Sequence, residues 1–82
     1  MNMIYNSSNY CVVEFGVAAA PDMGGFEIMD KNAKREIYLA GALAEGFRRG
    51  VAELIAQQPS VEEVDEFLSQ FDPLMTQPMI LH

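Results

Sequence analysis

Apolar and polar positions follow two different periods along this chain, and the change falls near residue 40. Met3–Tyr5 and Tyr10–Phe15 are rich in β-branched and aromatic residues, and NSSN between them, Asn6–Asn9, is a cluster of turn formers. The pattern predicts two strands joined as a hairpin. On the second strand Cys11, Val13 and Phe15 share one face. Glu14 lies on the other with Tyr10 and Val12, which makes that the side expected to be partly wet. GVAAAPDMGG, Gly16–Gly25, reads as a loop because Pro21, Asp22 and the Gly24–Gly25 pair punctuate it.

The stretch EIMDKNAKREIYLAG explains itself as a second hairpin. If Phe26–Asp30 and Arg35–Leu39 are antiparallel across KNAK, then Asp30 faces Arg35, Ile28 faces Ile37 and Phe26 faces Leu39, all on one sheet face. Met29 then pairs with Glu36, and Glu27 with Tyr38, on the other. A slip of one residue would destroy this sorting, because side chains alternate with period two. Asn32 can supply the left-handed conformation that such a turn needs. On this reading Lys31 and Lys34 are solvated residues of a turn and not a binding loop.

From Ala42 to Gln58 the period becomes helical. Leu43, Phe47, Val51, Leu54 and Ile55 form one face, with Glu45, Arg49 and Glu53 opposite. Glu45–Arg49 and Arg49–Glu53 are spaced as i,i+4 pairs. Gly46 and Gly50 each cost about 1 kcal/mol relative to alanine and lie beside the stripe, so each predicts close approach by a neighbouring element. A second helix, about residues 61–71, opens after Pro59. Ser60 with Glu63 makes an S-x-x-E capping box, and Val61, Val64, Phe67, Leu68 and Phe71 make the stripe. Glu62, Glu63, Asp65 and Glu66 suit the positive end of its dipole, and Pro73 ends it. The closing TQPMILH is an apolar tail that can join a sheet edge, pack on the core or meet another protein. The expected architecture is α+β: an antiparallel sheet of three to four strands over about residues 2–39, then two helices packed on one face, all in a single domain.

Size and charge narrow the function. At 82 residues, folding buries roughly 60–65% of the extended-chain surface, so the core is real but marginal. No apolar run approaches the ~20 residues of a membrane span. The start lacks the basic and apolar regions of a signal peptide, and the cytoplasm is the expected compartment. The formal net charge is -7. All five basic residues (Lys31, Lys34, Arg35, Arg48 and Arg49) lie in a segment with only Glu36 and Glu45 against them, a local +3. From Gly50 onward there are six acids and no Lys or Arg. A local +3 is thin beside the roughly six to ten phosphate contacts of a DNA binder, so nucleic acid is disfavoured as a partner.

Candidate chemistry is sparse. Cys11 and His82 are the sole cysteine and histidine and lie far apart in the sequence. Cys11 reads as a small buried hydrophobe, with no internal disulfide possible. No phosphate-binding glycine motif and no EF-hand loop is present. The acids at residues 62–66 fan over a polar helix face and need no metal. No catalytic residue, cofactor, metal or small-molecule ligand is therefore expected, and the chain is not expected to be an enzyme. Six methionines are many for this length, with core filling their commoner use.

MNMIYNSSNYCVVEF, DKNAKREIYLAGALAE with FR just after it, PSVEEVDEFL and QPMILH together resemble a small domain-of-unknown-function family of betaproteobacterial proteins, over nearly the whole chain. The resemblance implies a stand-alone cytoplasmic bacterial protein and carries over no site residue. The leading functional expectation is a non-enzymatic protein-interaction module, with a homodimer favoured because a basic middle and an acidic end can complement one another. The alternative is a nucleic-acid-linked regulator using a local basic patch. The candidate partner-binding residues are Lys31, Lys34, Arg35 and Arg48, with Met79, Ile80 and Leu81 in the tail.

Overall fold

The computed structural model describes residues 2–17, 20–75 and 77–78, and the side chains of these except 17, 20–23, 77 and 78. Strands β1 (Asn2–Asn6), β2 (Tyr10–Val17), β3 (Ala20–Asp30) and β4 (Arg35–Ala40) are followed by helices α1 (Gly41–Ile55) and α2 (Val61–Ser69). A 3-10 turn at Asp72–Leu74 leads to a two-residue β5, Gln77–Pro78. The sheet is an antiparallel meander in chain order, β1-β2-β3-β4-β5. The fold is therefore α+β, a sheet followed by two helices.

The β3–β4 register is the one that side-chain sorting dictates. Phe26 pairs with Leu39, Ile28 with Ile37 and Asp30 with Arg35, while Glu27 meets Tyr38 and Met29 meets Glu36. Ile28 is fully buried and Leu39 nearly so. The turn differs in one detail. Lys34, not Asn32, carries the positive φ, at 57°. The Asp30 carboxylate accepts the N–H groups of Asn32 and Ala33 at 2.9 and 3.0 Å, which holds the first part of the turn and leaves the reversal to its last residue.

Of the segment expected to be a loop, Gly16–Gly25, the described residues 16–17 and 20–25 instead extend β2 and β3 as a hairpin of their own. Val17 pairs with Ala20, and the ladder shifts register between Phe15 and Val17. An irregular ladder tolerates Pro21 and glycine in β3, where a regular central strand would not. The closing segment joins the sheet edge through Gln77–Pro78 against β4. Met79–Leu81 lie outside the described residues.

The helices cover the face of Tyr10, Val12, Phe26, Ile28 and Leu39, joined in one core by Ala44, Phe47, Leu68 and Met75. The side expected to be partly wet is thus the helix-covered one. Glu14 sits at its margin, where Arg48 of α1 binds it at 3.0 Å. Cys11, Val13 and Met29, with Phe15 beside them, form a second buried cluster on the opposite face.

The α1 stripe is narrower than its sequence suggests. Ala44 and Phe47 are buried, Val51 and Leu54 are half-buried, and Leu43 and Ile55 are 66% and 63% exposed. These two sit in the first and last turns at the margins of the stripe, away from the strip of helix that crosses the sheet. The helix ends at Ile55, and Gln58 takes a φ of 52° before Pro59. α2 opens with the expected capping box: Ser60 Oγ accepts from the Glu63 N–H at 3.2 Å, and Glu63 Oε1 accepts from the Ser60 N–H at 3.3 Å. It closes at Ser69, short of the expected residue 71.

The glycines divide by environment. A Cβ on Gly25 would stand 2.3 Å from the Leu39 carbonyl oxygen and 2.7 Å from the Tyr38 hydroxyl. On Gly50 it would press on the Phe67 ring at 3.0 Å, the close approach that α2 makes to α1. Gly46, expected to mark another such approach, has open space around it. Gly46→Ala should therefore stabilise the protein by about 0.5–1 kcal/mol through helix propensity alone. Gly25→Ala should destabilise it by about 2 kcal/mol or more, because backbone must move. Urea unfolding of the two variants checks both signs, and a Gly25→Ala protein as stable as the parent would refute the close packing.

Candidate functional site

A one-residue irregularity in β1 shapes the most distinctive surface. Met3 pairs with Val13 and Tyr5 with Val12, so Ile4 is an extra residue in the strand. Such a bulge re-aims side chains. Here it brings Ile4 and Tyr5 together on the helix side, where both line an apolar groove of about 140 Å³. The floor is Val12 and Leu68, and the walls are Phe47, Val51 and Leu54 from α1 with Val64 and Phe67 from α2. Ile55, at 63% exposure, lines its outer part, and Ile4 is 42% exposed. Val61, exposed at the start of α2, extends the apolar surface of that helix.

One side of the groove is fixed by a polar cluster built on Asp65. Its Oδ1 accepts the Tyr5 and Ser7 hydroxyls, each at 2.9 Å, and its Oδ2 accepts the Asn9 amide at 2.9 Å. Ser7 Oγ in turn accepts the backbone N–H groups of Asn9 and Tyr10 at 3.1 and 3.0 Å. The β1–β2 turn is therefore tied to α2 by one carboxylate. Burial pushes the Asp65 carboxyl up, but the donors of Asn9, Tyr5 and Ser7 outweigh it and hold the group below the usual aspartate range. Burial and Asp65 together raise the Tyr5 hydroxyl, and the charge of Glu62 adds to this.

A second acid pair lies beside it. The Tyr10 hydroxyl donates to Asp72 Oδ1 at 3.0 Å. Asp72 is raised by burial and by the hydrogen bond it shares with Asp30. For Asp30, burial works upward, and the turn amide of Ala33, Asp72, the amide of Asn32 and Arg35 together bring it below its ordinary value. Of the two, Asp72 is therefore the one that takes up a proton first as pH falls. On the opposite sheet face, burial raises the Cys11 thiol, which disfavours the nucleophilic thiolate.

The candidate basic residues are not gathered into one patch. Lys31 bonds the Asn6 side-chain oxygen and the Ser7 carbonyl, the latter at 2.6 Å, and so locks the two turns together. Lys34 and Arg35 are exposed at the same end of the sheet. Arg48 lies over the Phe26 ring, 4.9 Å from its centroid, and is paired with Glu14. Glu14 and Phe26 are four residues along their strands from the Tyr10–Asp30 pair, a separation of about 13 Å. Glu45 approaches Arg48 at 4.0 Å, not Arg49 as its spacing suggested. Met79, Ile80 and Leu81 fall outside the described residues.

Sequence reading missed both the groove and the Asp65 cluster. Asp65 was assigned to the polar face of α2, yet it is half-buried and turned to the first hairpin. The available signal was its position between Val64 and Phe67, together with Tyr5, Ser7 and Asn9, which are donors needing an acceptor. Among the described residues no group of three or more His, Cys, Asp or Glu side chains is placed to hold a metal ion. No helix there is long and apolar enough to cross a membrane.

A five-stranded antiparallel sheet under two helices, with an apolar groove between the helices and its first strand, defines a small α+β domain. The chain belongs to the family described as Protein of unknown function (DUF3567), whose model matches residues 1–82. It is similar to Protein BTH_I0359 of Burkholderia thailandensis, with 60% identity over 85 aligned residues covering 100% of both chains. No solved structure matches it.

The Asp65 cluster has a defined acid signature. Because the folded-state value is lowered, its contribution is complete above the unfolded aspartate value near pH 4 and is lost as pH falls through the folded value. Asp65→Asn should cost about 1–3 kcal/mol at neutral pH. The gap to the parent should narrow as pH falls below about 4 and the parent's carboxylate takes up its proton. The Asp30–Asp72 pair is common to both proteins and cancels in the difference. Urea titrations at a series of pH values measure it, and a gap independent of pH would show that the carboxylate is not the acceptor.

Proposed function

We propose that the protein is a non-enzymatic protein-interaction module whose contact surface is the groove between β1, α1 and α2. The observation that supports this reading most strongly is the exposure of Ile4 and Ile55 on a cavity walled by apolar side chains. Exposed apolar side chains are common singly. Grouped around a preformed hollow, they have the anatomy of an interface core, where an anchor side chain fills a pocket and its neighbours exclude water. A second copy of the chain is one partner that this surface accommodates, and self-association as a homodimer is part of the proposal. The nucleic-acid alternative draws less support, because Lys31 is engaged within the fold and Arg48 is paired with Glu14.

Ile55 is the residue on which to test this, since its exposure lets it be replaced without opening the core. Light scattering at high micromolar concentration, in low and high salt, should report dimers for the parent and monomers for Ile55→Asp. A photo-crosslinking residue placed at position 55 should give a protein adduct in native bacterial lysate, while one at the exposed turn position 32 should not. A strictly monomeric parent removes the homodimer. A monomer that also gives no adduct from position 55 above the control removes the module.

A further inference from the structure

The charge beside the groove is one-sided along α2. That helix supplies the wall residues Val64 and Phe67, and it carries Glu62, Glu63, Asp65 and Glu66 and no Lys or Arg. Tyr5 lines the groove and its hydroxyl lies 3.4 Å from the Val61 carbonyl oxygen, so Glu62, exposed at the next position, stands beside that end of the groove. Among the described ion pairs, both involve Arg48 with Glu14 and Glu45, so none neutralises Glu62, Glu63 or Glu66 of α2. Negative charge therefore flanks the α2 side of an apolar hollow, and an occupant of matching charge gains in both encounter rate and specificity.

The size of the hollow sets the anchor. An apolar cavity of ~150 Å³ holds a benzene ring and stays dry when empty. The groove, at about 140 Å³, accordingly fits one leucine or phenylalanine side chain. The Tyr5 hydroxyl is already committed to Asp65 at 2.9 Å, so the lining offers no free polar partner for a buried headgroup.

Strand geometry decides the form of the occupant. β1 is an edge, but its ladder is broken between Met3 and Tyr5, and a bulge of this kind blunts the pairing of another strand. The surface is instead a channel between two helices and a strand, the shape that receives the apolar face of a helix.

We infer that the groove receives a basic amphipathic helix of a partner protein, one bulky apolar side chain seated in the hollow and lysines or arginines facing Glu62 and its neighbours. This rests on the interaction-module reading and adds the chemistry of the partner.

The test uses the full chain and two fluorescein-labelled amphipathic helical peptides of identical pattern, one of leucine and lysine, the other of leucine and glutamate. Fluorescence anisotropy should find the lysine peptide bound roughly tenfold or more tightly than the glutamate peptide, with the preference weakened by high salt. Glu62→Lys should weaken it. Ile55→Asp should weaken it too, although the added carboxylate would strengthen any attraction that was purely electrostatic. Thermal melts confirm that both variants remain folded.

Several results would overturn the inference. Equal affinity for the two peptides would leave the groove as an interface and remove the basic partner. Lysine-peptide binding unchanged by Ile55→Asp would mean that net charge alone attracts it. If neither peptide binds while Ile55→Asp still abolishes self-association or the position-55 adduct, the occupant is a second copy or another partner chemistry, and the module survives without this inference. If neither binds and Ile55→Asp changes nothing, both fall together.

Discussion

Phe47 touches Phe26 of β3 at a centroid distance of 4.9 Å, and Phe67 and Phe71 at 6.0 and 5.5 Å. Phe67 and Phe71 also meet each other at 6.0 Å. This one ring is where the sheet, the first helix and the region of the second helix converge, in the tilted and edge-on geometries that aromatic quadrupoles favour. In a domain this small the core has few alternatives, so the placement of both helices depends on that contact. The groove is a consequence of it. Phe47 and Phe67 wall the hollow together with the smaller Val51, Leu54 and Val64, and no described side chain fills the space between them.

The polar side of the structure depends on carboxylates used as acceptors within the fold. Asp65 gathers three side-chain donors from the first hairpin. Asp30 caps its own turn, and Asp72 receives Tyr10. Each removes a buried polar group from the unsatisfied state, whose cost would be large in so marginal a domain. Lys31 works in the same way, as a tie between two turns. Glu62 and Glu66, exposed on α2, have no such role among the described side-chain contacts and set the potential outside it.

Several elements were legible from residue order alone. The β3–β4 pairing followed from Ile28, Ile37 and their alternating neighbours, since only one register sorts apolar from polar. The capping box at Ser60 and Glu63 is a local device and needs no tertiary information. The extension of β2 to Val17 and of β3 back to Ala20 was hidden because glycine and proline signal a break, whereas a bulged ladder accommodates them. Leu43 and Ile55 carry the helical period but sit where the helix passes the edge of what it covers, and periodicity records direction without recording reach.

What the sequence by itself determined is the set of short-range decisions: strand faces, turn positions, helix starts and the family to which the chain belongs. Each is fixed by residues within a few positions of one another, through alternation, caps and backbone preference. Tertiary structure alone decided which sheet face the helices cover, that Asp65 turns toward Tyr5 and Ser7, and that Ile4 joins Ile55 around one hollow. Those outcomes depend on groups some fifty to sixty positions apart, and a bulge of a single residue in β1 is enough to redirect them.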